Sequence, residues 1–446
     1  MSFIKTILFW LCMLAGFTSN AQSLLDDYIK EGLENNQQFL IHQIEVEESK
    51  LALAEAKGAY MPKASFEASY TLAGGGRAIG IPIGDLLNPV YSSLNLLTNT
   101  EQFPQVANVN EQFLPNDFHE TKIRVIQPLF NADIYYNSKI KRTMQSIAEA
   151  KMDTYEKELI KEIKISYYNY ANTLRAEKIY QANEKYLTEL VRFNTKRFDE
   201  GLITKDQVYK AQFQLQSVIS DKATVVAQKV AAKAYFNFLL NKDHDSPVEV
   251  NDQLPTDVSN AYTPDQALEN RMELMQIRMA KRAQEQVGQL AVANRYLPQV
   301  NLVGDAGFQG FGYSFDSSQD FWLLNVGLSW NLFSGFQNKH EAEQSKVRLS
   351  ILDRQETELK RKIMMEVVSA RAKVASAKSK LNASQLALRE ADKAFKIVDS
   401  RYREGQALIL EYLDAQSSLL TAQLQQSISA FELQSSMAVF ERAIAY

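Results

Sequence analysis

Arg401–Ala415, RYREGQALILEYLDA, has an echo at Arg197–Ala211, RFDEGLITKDQVYKA. In each, a long heptad-patterned segment halts, turns on a glycine and gives way to another helical segment. Gly201 and Gly405 lie 204 residues apart, as expected of one design written twice. Other pairs keep the same order. Leu33-Glu34-Asn35-Asn36 matches Leu268-Glu269-Asn270-Arg271 at an offset of 235, and Tyr60-Met61-Pro62 matches Tyr296-Leu297-Pro298 at 236. Pro128-Leu129-Phe130 matches Asn331-Leu332-Phe333 at 203, so the first copy carries an insertion between residues 71 and 121. Each half reads helix, strand, loop, strand, long helix, turn, long helix.

The helices follow from the period. Ile363, Val367, Ala370, Val374, Ala377, Leu381, Leu388, Ala391, Phe395, Val398 and Tyr402 step by four and three, with Ser384 the one polar member of the series. That is a coiled-coil seam. No proline interrupts residues 338–403, and at 1.5 Å per residue such a segment reaches roughly 100 Å. The first copy keeps the length over residues 134–198 with a rougher seam of Leu159, Ile163, Tyr170, Tyr180, Leu187, Val191 and Phe198. Rods of this length must pack on each other or on other subunits. With 17 glycines and 10 prolines among 446 residues, long helices are favoured over a loop-rich fold.

The strands follow from alternation. Residues 321–332, FWLLNVGLSWNL, put Trp322, Leu324, Val326, Leu328 and Trp330 on one face. Residues 299–308, 63–71 and 121–130 alternate in the same way, with Arg124, Lys122, Glu67 and Asp305 on the polar faces. Strands of about ten residues, apolar on one side and polar on the other and bounded by tryptophan, suit a lipid-facing barrel. The alternation alone also permits two hairpins on a water-soluble core. Four strands cannot close a barrel, because the smallest bacterial ones need about eight. A cyclic trimer supplying twelve strands is the smallest closed assembly that suits.

The ends and the balance of charge narrow the class. Residues 1–21, with Lys5 before an apolar run and Ser19-Asn20-Ala21 after it, read as a cleaved export signal. Cys12, the sole cysteine, lies inside it, so the mature chain is expected to have neither a disulfide nor an acyl anchor. The formal net charge is −4 with both signs interspersed, which does not suggest a nucleic-acid partner. His42, His119, His244 and His340 sit in different elements without metal-ligand spacing, and Gly74–Gly76 is not followed by Lys-Ser/Thr. No metal, cofactor or catalytic site is expected.

Taken together, the order of these motifs resembles the TolC-like outer-membrane efflux protein family over about residues 22–446. The likeness rests on the duplicated order, the Leu-x-Asn openings at 33–35 and 268–270, and the Tyr-x-Pro exits at 60–62 and 296–298. Gln127-Pro128-Leu129-Phe130 and the two Arg-aromatic-x-x-Gly turns complete it. The resemblance implies a homotrimer whose 12-stranded outer-membrane β-barrel is continuous with a long α-helical barrel. It implies the exit duct of a tripartite pump or type I secretion system, docking on a periplasmic adaptor (a membrane fusion protein) and an inner-membrane transporter. The hairpin tips, with Arg197, Gly201, Thr204, Asp206, Arg401 and Gly405, would face the adaptor, and Trp322 and Trp330 would form part of an aromatic girdle.

The family also places two acidic positions, three apart, at the periplasmic entrance. Glu411 and Asp414 match them and share a helix face, while Tyr402 matches the aromatic that helps hold the entrance shut. Read without the family, the two carboxylates also suit a solvated helix face. The basic residue the family can place two positions after the glycine is Ala407 here, so one closing salt bridge is expected to be missing. In the first copy Thr204 and Gln207 have capping-box spacing, with Asp206 serving the helix N-terminus.

The remaining segments are an equatorial connector at 241–262, a helix opened by Thr263-Pro264, and the insertion at 72–120. The insertion, apolar over 79–87 and 94–97, reads as an extracellular loop, a partial lid or a contact for another surface protein. The rival class for the whole chain is a soluble periplasmic coiled-coil scaffold or adaptor.

Overall fold

The computed structural model describes residues 24–251 and 264–445. The export signal, most of the connector after Asn251 and the Thr263 cap lie outside the described residues. In chain order the elements are α1 (Leu24–Asn35), α2 (Gln37–Gly58), β1 (Lys63–Thr71), β2 (Ala78–Ile81), α3 (Ile83–Thr98), β3 (Val109–Gln112), β4 (Phe118–Phe130), α4 (Ala132–Asp199) and α5 (Lys205–Leu239). The second copy runs α6 (Pro264–Asn270), α7 (Met272–Tyr296), β5 (Gln299–Phe311), β6 (Asp320–Ser329), α8 (Gln337–Arg403) and α9 (Ile409–Ala443). Among the described residues, no helix is long and apolar enough to cross a membrane.

The chain divides into two compact units. One, built from residues 51–142 and 284–347, holds a four-stranded antiparallel sheet in the order β1-β4-β5-β6. Its register sets Phe66, Ile123, Ala306 and Trp322 in one cross-strand row and Ala64, Val125, Gly304 and Leu324 in the next. This face is apolar and bare: Phe66 is 71% exposed, Trp322 80% and Leu324 62%. The opposite face carries an ion-pair lattice. Arg124 grips Asp305 through Nε and Nη2, both at 2.8 Å. Lys122 reaches Glu120 at 2.8 Å and Glu67 at 3.7 Å. Apolar residues share this face: Leu323 stands opposite Asp305, Phe321 opposite Gly307, and Ile126 opposite Val303.

The alternating period thus separates charge from hydrocarbon across one pleated layer. The strand bounds differ from the sequence expectation at the ends. β6 stops at Ser329, so Trp330 follows the strand instead of closing it, because its partner β5 begins at Gln299, which pairs with Ser329. β4 begins three residues early, at Phe118, since Tyr70–His119 and Thr71–Phe118 continue the pairing with β1.

Gly307 of β5 pairs with Lys122 of β4. A Cβ there would stand 2.1 Å from the Thr121 carbonyl oxygen and 2.6 Å from the Lys122 Cα, whereas at Gly304 the nearest atom is 3.8 Å away. Gly307→Ala is expected to force the strands apart at a cost of about 1–3 kcal/mol, and Gly304→Ala to be tolerated. Thermal midpoints of the two variants at equal protein concentration check this; equal midpoints would show that the close approach is unimportant.

The other unit, residues 24–50, 143–283 and 348–445 of those described, is helical. The seam of α8 is buried as its period requires: Ile363, Val367, Ala370, Val374, Ala377, Ser384, Phe395 and Tyr402 all lie inside. In α4, Leu159, Ile163, Tyr170 and Leu187 are buried, but Phe198 is 37% exposed.

Polar groups also enter this core. Asn172, Asn183 and Asn194 of α4 stand eleven residues apart. Asn172 accepts from Ser427 (3.0 Å), Asn183 accepts from Gln416, and Asn194 accepts from Tyr402 (2.7 Å). Seam reading overlooks this row, because polar residues at buried positions interrupt the very pattern that reveals a seam.

The two copies also close alike. Asn36, at the break between α1 and α2, donates to the Leu239 carbonyl at the end of α5 (2.9 Å). Arg271, at the equivalent break between α6 and α7, donates to the Ala443 carbonyl at the end of α9 (3.1 Å). Each satisfies an orphan carbonyl at a helix C-terminus. The connector begins in the same region, where Tyr28 and Tyr167 hydroxyls accept from the Glu249 and Asn251 N–H groups (3.0 and 2.9 Å).

Candidate functional site: the paired hairpin tips

Both turns form on glycine for one reason. Gly201 (φ 71°) and Gly405 (φ 77°) take left-handed backbone that an L side chain resists. The chain then closes on itself through Leu202 N–H to the Arg197 carbonyl (2.8 Å) and Gln406 N–H to the Arg401 carbonyl (2.7 Å). This is the Schellman pattern that ends a helix without leaving its last carbonyls bare.

Beyond the turns the copies diverge. Tyr402 is 2% exposed and Phe198, its counterpart, is 37% exposed. The Tyr402 ring lies 5.0 Å from that of Tyr412 and 6.2 Å from that of Phe193. Its hydroxyl donates to Asn194 Oδ1 at 2.7 Å, and burial pushes its phenol pKa up. Arg197 lies over the Phe193 ring and donates from Nη1 to the Tyr402 carbonyl oxygen at 3.4 Å. A Cβ at Gly405 would sit 3.5 Å from its guanidinium. The two tips are therefore latched to each other by Arg197, Asn194 and Tyr402.

Glu411 and Asp414 are both exposed on the first turns of α9. Glu411 has a partner, the Arg401 guanidinium at 3.8 Å, across the same turn. With Ala407 unable to supply a cation, Arg401 is the basic group next to this carboxylate. At the other tip the expected capping box does not form. Thr204 has the extended backbone of an N-cap residue (φ −90°, ψ 155°), yet it makes no side-chain cap hydrogen bond. Its hydroxyl turns to the Asp206 carboxylate, which Lys210 also reaches at 3.2 Å. Those two hydrogen bonds hold the Asp206 pKa below its usual value.

The structure thus brings together Tyr402, Arg197, Gly405, Arg401 and Glu411, and leaves Thr204 and Asp206 as a local pair. Trp322 and Trp330 belong to the sheet region. Asn194, Phe193 and Tyr412 complete the latch and were not foreseen. Tyr412 is an aromatic three residues into α9 that the sequence offers no reason to pair with Tyr402. The cavity beside Tyr402 and Tyr412 measures about 180 Å³, below the roughly 300 Å³ at which small-molecule sites begin. Among the described residues no group of three or more His, Cys, Asp or Glu side chains is placed to hold a metal ion. The tips are joined through Arg197, Asn194 and Tyr402 and carry two exposed carboxylates, Glu411 and Asp414.

Residues 263–438 match the family model for outer membrane efflux proteins. That match lies in the second repeat and covers under half of the chain. Outer membrane protein TolC of Salmonella enteritidis is 22% identical over 327 residues, 68% of this chain and 64% of that protein. The match therefore spans a little under two-thirds of that relative's length.

The fold extends the likeness to nearly the whole chain. The CmeC outer membrane channel of Campylobacter jejuni superposes with a TM-score of 0.78 at 14% identity, covering 95% of this chain and 86% of that one. VceC of Vibrio cholerae gives 0.75 at 18% identity over 94% and 96%, and the open-state MtrE channel of Neisseria gonorrhoeae gives 0.77 at 16% over 94% and 88%. The chain therefore has a mainly helical fold written as two repeats, each giving two strands to the four-stranded sheet.

Proposed function

We propose that this chain is an outer membrane efflux protein and that three copies of it form a passive exit channel in the outer membrane of a Gram-negative bacterium. The observation that carries the reading is the sheet. One face is apolar and exposed through Phe66, Ile123, Trp322 and Leu324, while the other is knit by Arg124–Asp305 and Lys122–Glu120. Bare hydrocarbon on one side and paired charge on the other suit lipid outside and water inside. Such a sheet has two free edges, β1 and β6, and joining those edges between copies satisfies their backbone groups.

The long helical hairpins would then line a periplasmic tunnel, with the latched tips at its entrance. A periplasmic adaptor and an inner-membrane transporter, in a tripartite efflux or type I secretion system, would release the latch. The protein itself would perform no covalent step. A water-soluble scaffold would leave the Trp322 face without cover, a large apolar patch for such a protein. Extraction from outer membranes in detergent as a heat-labile trimer is expected; recovery as a soluble monomer would defeat this reading.

At the entrance, three-fold repetition of Glu411 and Asp414 would make a rim of six carboxylates that favours cations. Glu411→Ala/Asp414→Ala channels in planar bilayers are expected to lose roughly fivefold in cation-over-anion permeability, with conductance retained. An unchanged reversal potential would remove these residues from the gate.

A further inference from the structure

The insertion between β1 and β4 builds a helix for which the exit channel has no evident use. The inner face of α3 is tied down at two levels. Asn88 donates to the Val106 carbonyl (3.0 Å) and accepts from the Val106 N–H (2.8 Å). Asn95 repeats this with Phe103, at 2.9 and 3.0 Å. Gly84 packs so closely on the return chain that a Cβ would stand 2.3 Å from the Val106 carbonyl oxygen. At the C-terminal end Asn99 takes a left-handed backbone (φ 48°) and its N–H closes on the Asn95 carbonyl. An incidental surface loop needs no such fixation.

What the fixation achieves is an outward apolar row. At roughly 100° per residue, Gly84, Asn88, Tyr91 and Asn95 share one face, and Leu86, Val90, Ser93 and Leu97 fall about 180° away. Leu86 is 69% exposed, Val90 52% and Leu97 81%. With Ser93 between Val90 and Leu97, the row steps by four, three and four, the spacing of a coiled-coil seam.

The only charged side chain in α3 is Asp85, in its first turn. A seam without charge packs on its own copy without repulsion. It also lacks the lysines and arginines with which surface helices hold anionic headgroups. The insertion leaves directly from β1, an edge of the sheet, so it starts at the boundary where a neighbouring copy would join.

We propose that α3 packs against α3 of the neighbouring copies through Leu86, Val90 and Leu97, making a three-helix cap at the β1–β4 end of the sheet. This rests on the three-copy reading above, and the test separates the two. The full-length protein carrying Cys12→Ser and Leu97→Cys is extracted in detergent, and light scattering counts its copies. Oxidation is then read on a non-reducing gel. Around a three-fold axis only two of three cysteines can pair, so about two-thirds of the chains are expected as disulfide-linked dimer. Ser92→Cys, on the flank of the helix, is expected to stay monomeric. Val90→Cys provides a second position in the seam, and adding Leu86→Glu to Leu97→Cys is expected to cut linkage at least fivefold. A three-copy particle without linkage at either position 90 or 97 overturns the cap and leaves the channel reading standing. A single-copy particle overturns both.

Discussion

Tyr402→Ala is expected to destabilise the helical unit more than any other single change at the tips. Tyr402 is among the largest fully buried side chains and stands between Phe193 and Tyr412. Truncating a buried aromatic costs about 3–5 kcal/mol, part lost transfer energy and part cavity. The change also leaves Asn194 Oδ1 without its donor, in a residue that is 0% exposed and whose Nδ2 already lacks a partner. Tyr402→Phe isolates that second effect, at about 1–3 kcal/mol. Adding Asn194→Leu to Tyr402→Phe should recover part of the loss, a cycle that reads the latch bond alone.

Burial raises the phenol pKa of both Tyr402 and Tyr412. For an acid whose folded pKa is raised, the stabilisation is complete below the unfolded value of about 10 and disappears as pH climbs through the folded value. The native protein should therefore lose stabilisation at the tips above about pH 10, and hydrogen exchange around Gly405 would read it. Uniform protection across that range would mean that Tyr402 does not hold the tip.

Arg271→Met carries the second large effect, far from the tips. Arg271 is 6% exposed and donates to Glu273 through Nε and Nη2 (3.0 and 2.9 Å), to Glu366 (3.1 Å) and to the Ala443 carbonyl. Arg442 continues the lattice to Glu273 at 2.7 Å and Glu158 at 3.2 Å. Breaking a buried ion pair by deleting one partner costs about 3–5 kcal/mol, most of it the stranded charge. Because Glu366 is 35% exposed, about 3 kcal/mol is the better expectation here.

Burial alone would raise the Glu273 carboxyl pKa, but hydrogen bonds from Arg271 and Arg442 outweigh it and hold it at about 2. Against an unfolded value of about 4.3, this carboxylate stabilises the native fold fully above that pH and ceases to do so as pH falls through about 2. In Arg271→Met the depression is smaller, so mild acid neutralises the stranded charge. The gap in thermal midpoint between variant and native protein should narrow from pH 7 to pH 4. A gap that does not vary with pH would assign the loss to packing alone.

Apolar periodicity accounts for how much of this was legible. The α8 seam from Ile363 to Tyr402 and the alternation around Trp322 stand out because burial repeats every seven or two residues. The paired turns stand out because a left-handed residue at a helix end selects glycine. Periodicity does not report polar groups that enter the core. Tyr402, which holds Asn194, and Glu366 and Ala443, which hold Arg271 together with nearby Glu273, lie more than ninety residues away, and no local spacing marks such pairs. The helix α3 stays hidden behind Pro89 inside it and is held by asparagines to residues 103–106. At Thr204 the local rule competed with a nearer acceptor, and the hydroxyl went to Asp206. The site was thus legible as a pair of turns, one followed by two exposed carboxylates, while the latch between them was not.

The row of asparagines on α4 works as a vernier. Positions 172 and 427, and positions 183 and 416, both sum to 599, so two rungs share one antiparallel alignment, and Tyr402 adds a third from the neighbouring helix. Apolar seams tolerate sliding by a heptad, because one leucine greets another much like itself. A polar row spaced by eleven does not share that period. A slip of seven residues would leave every rung misaligned at once, with buried amides facing hydrocarbon. Two helices each about 50 Å long or more could otherwise settle at several offsets of similar energy. With the row in place, their alignment has one mark to read.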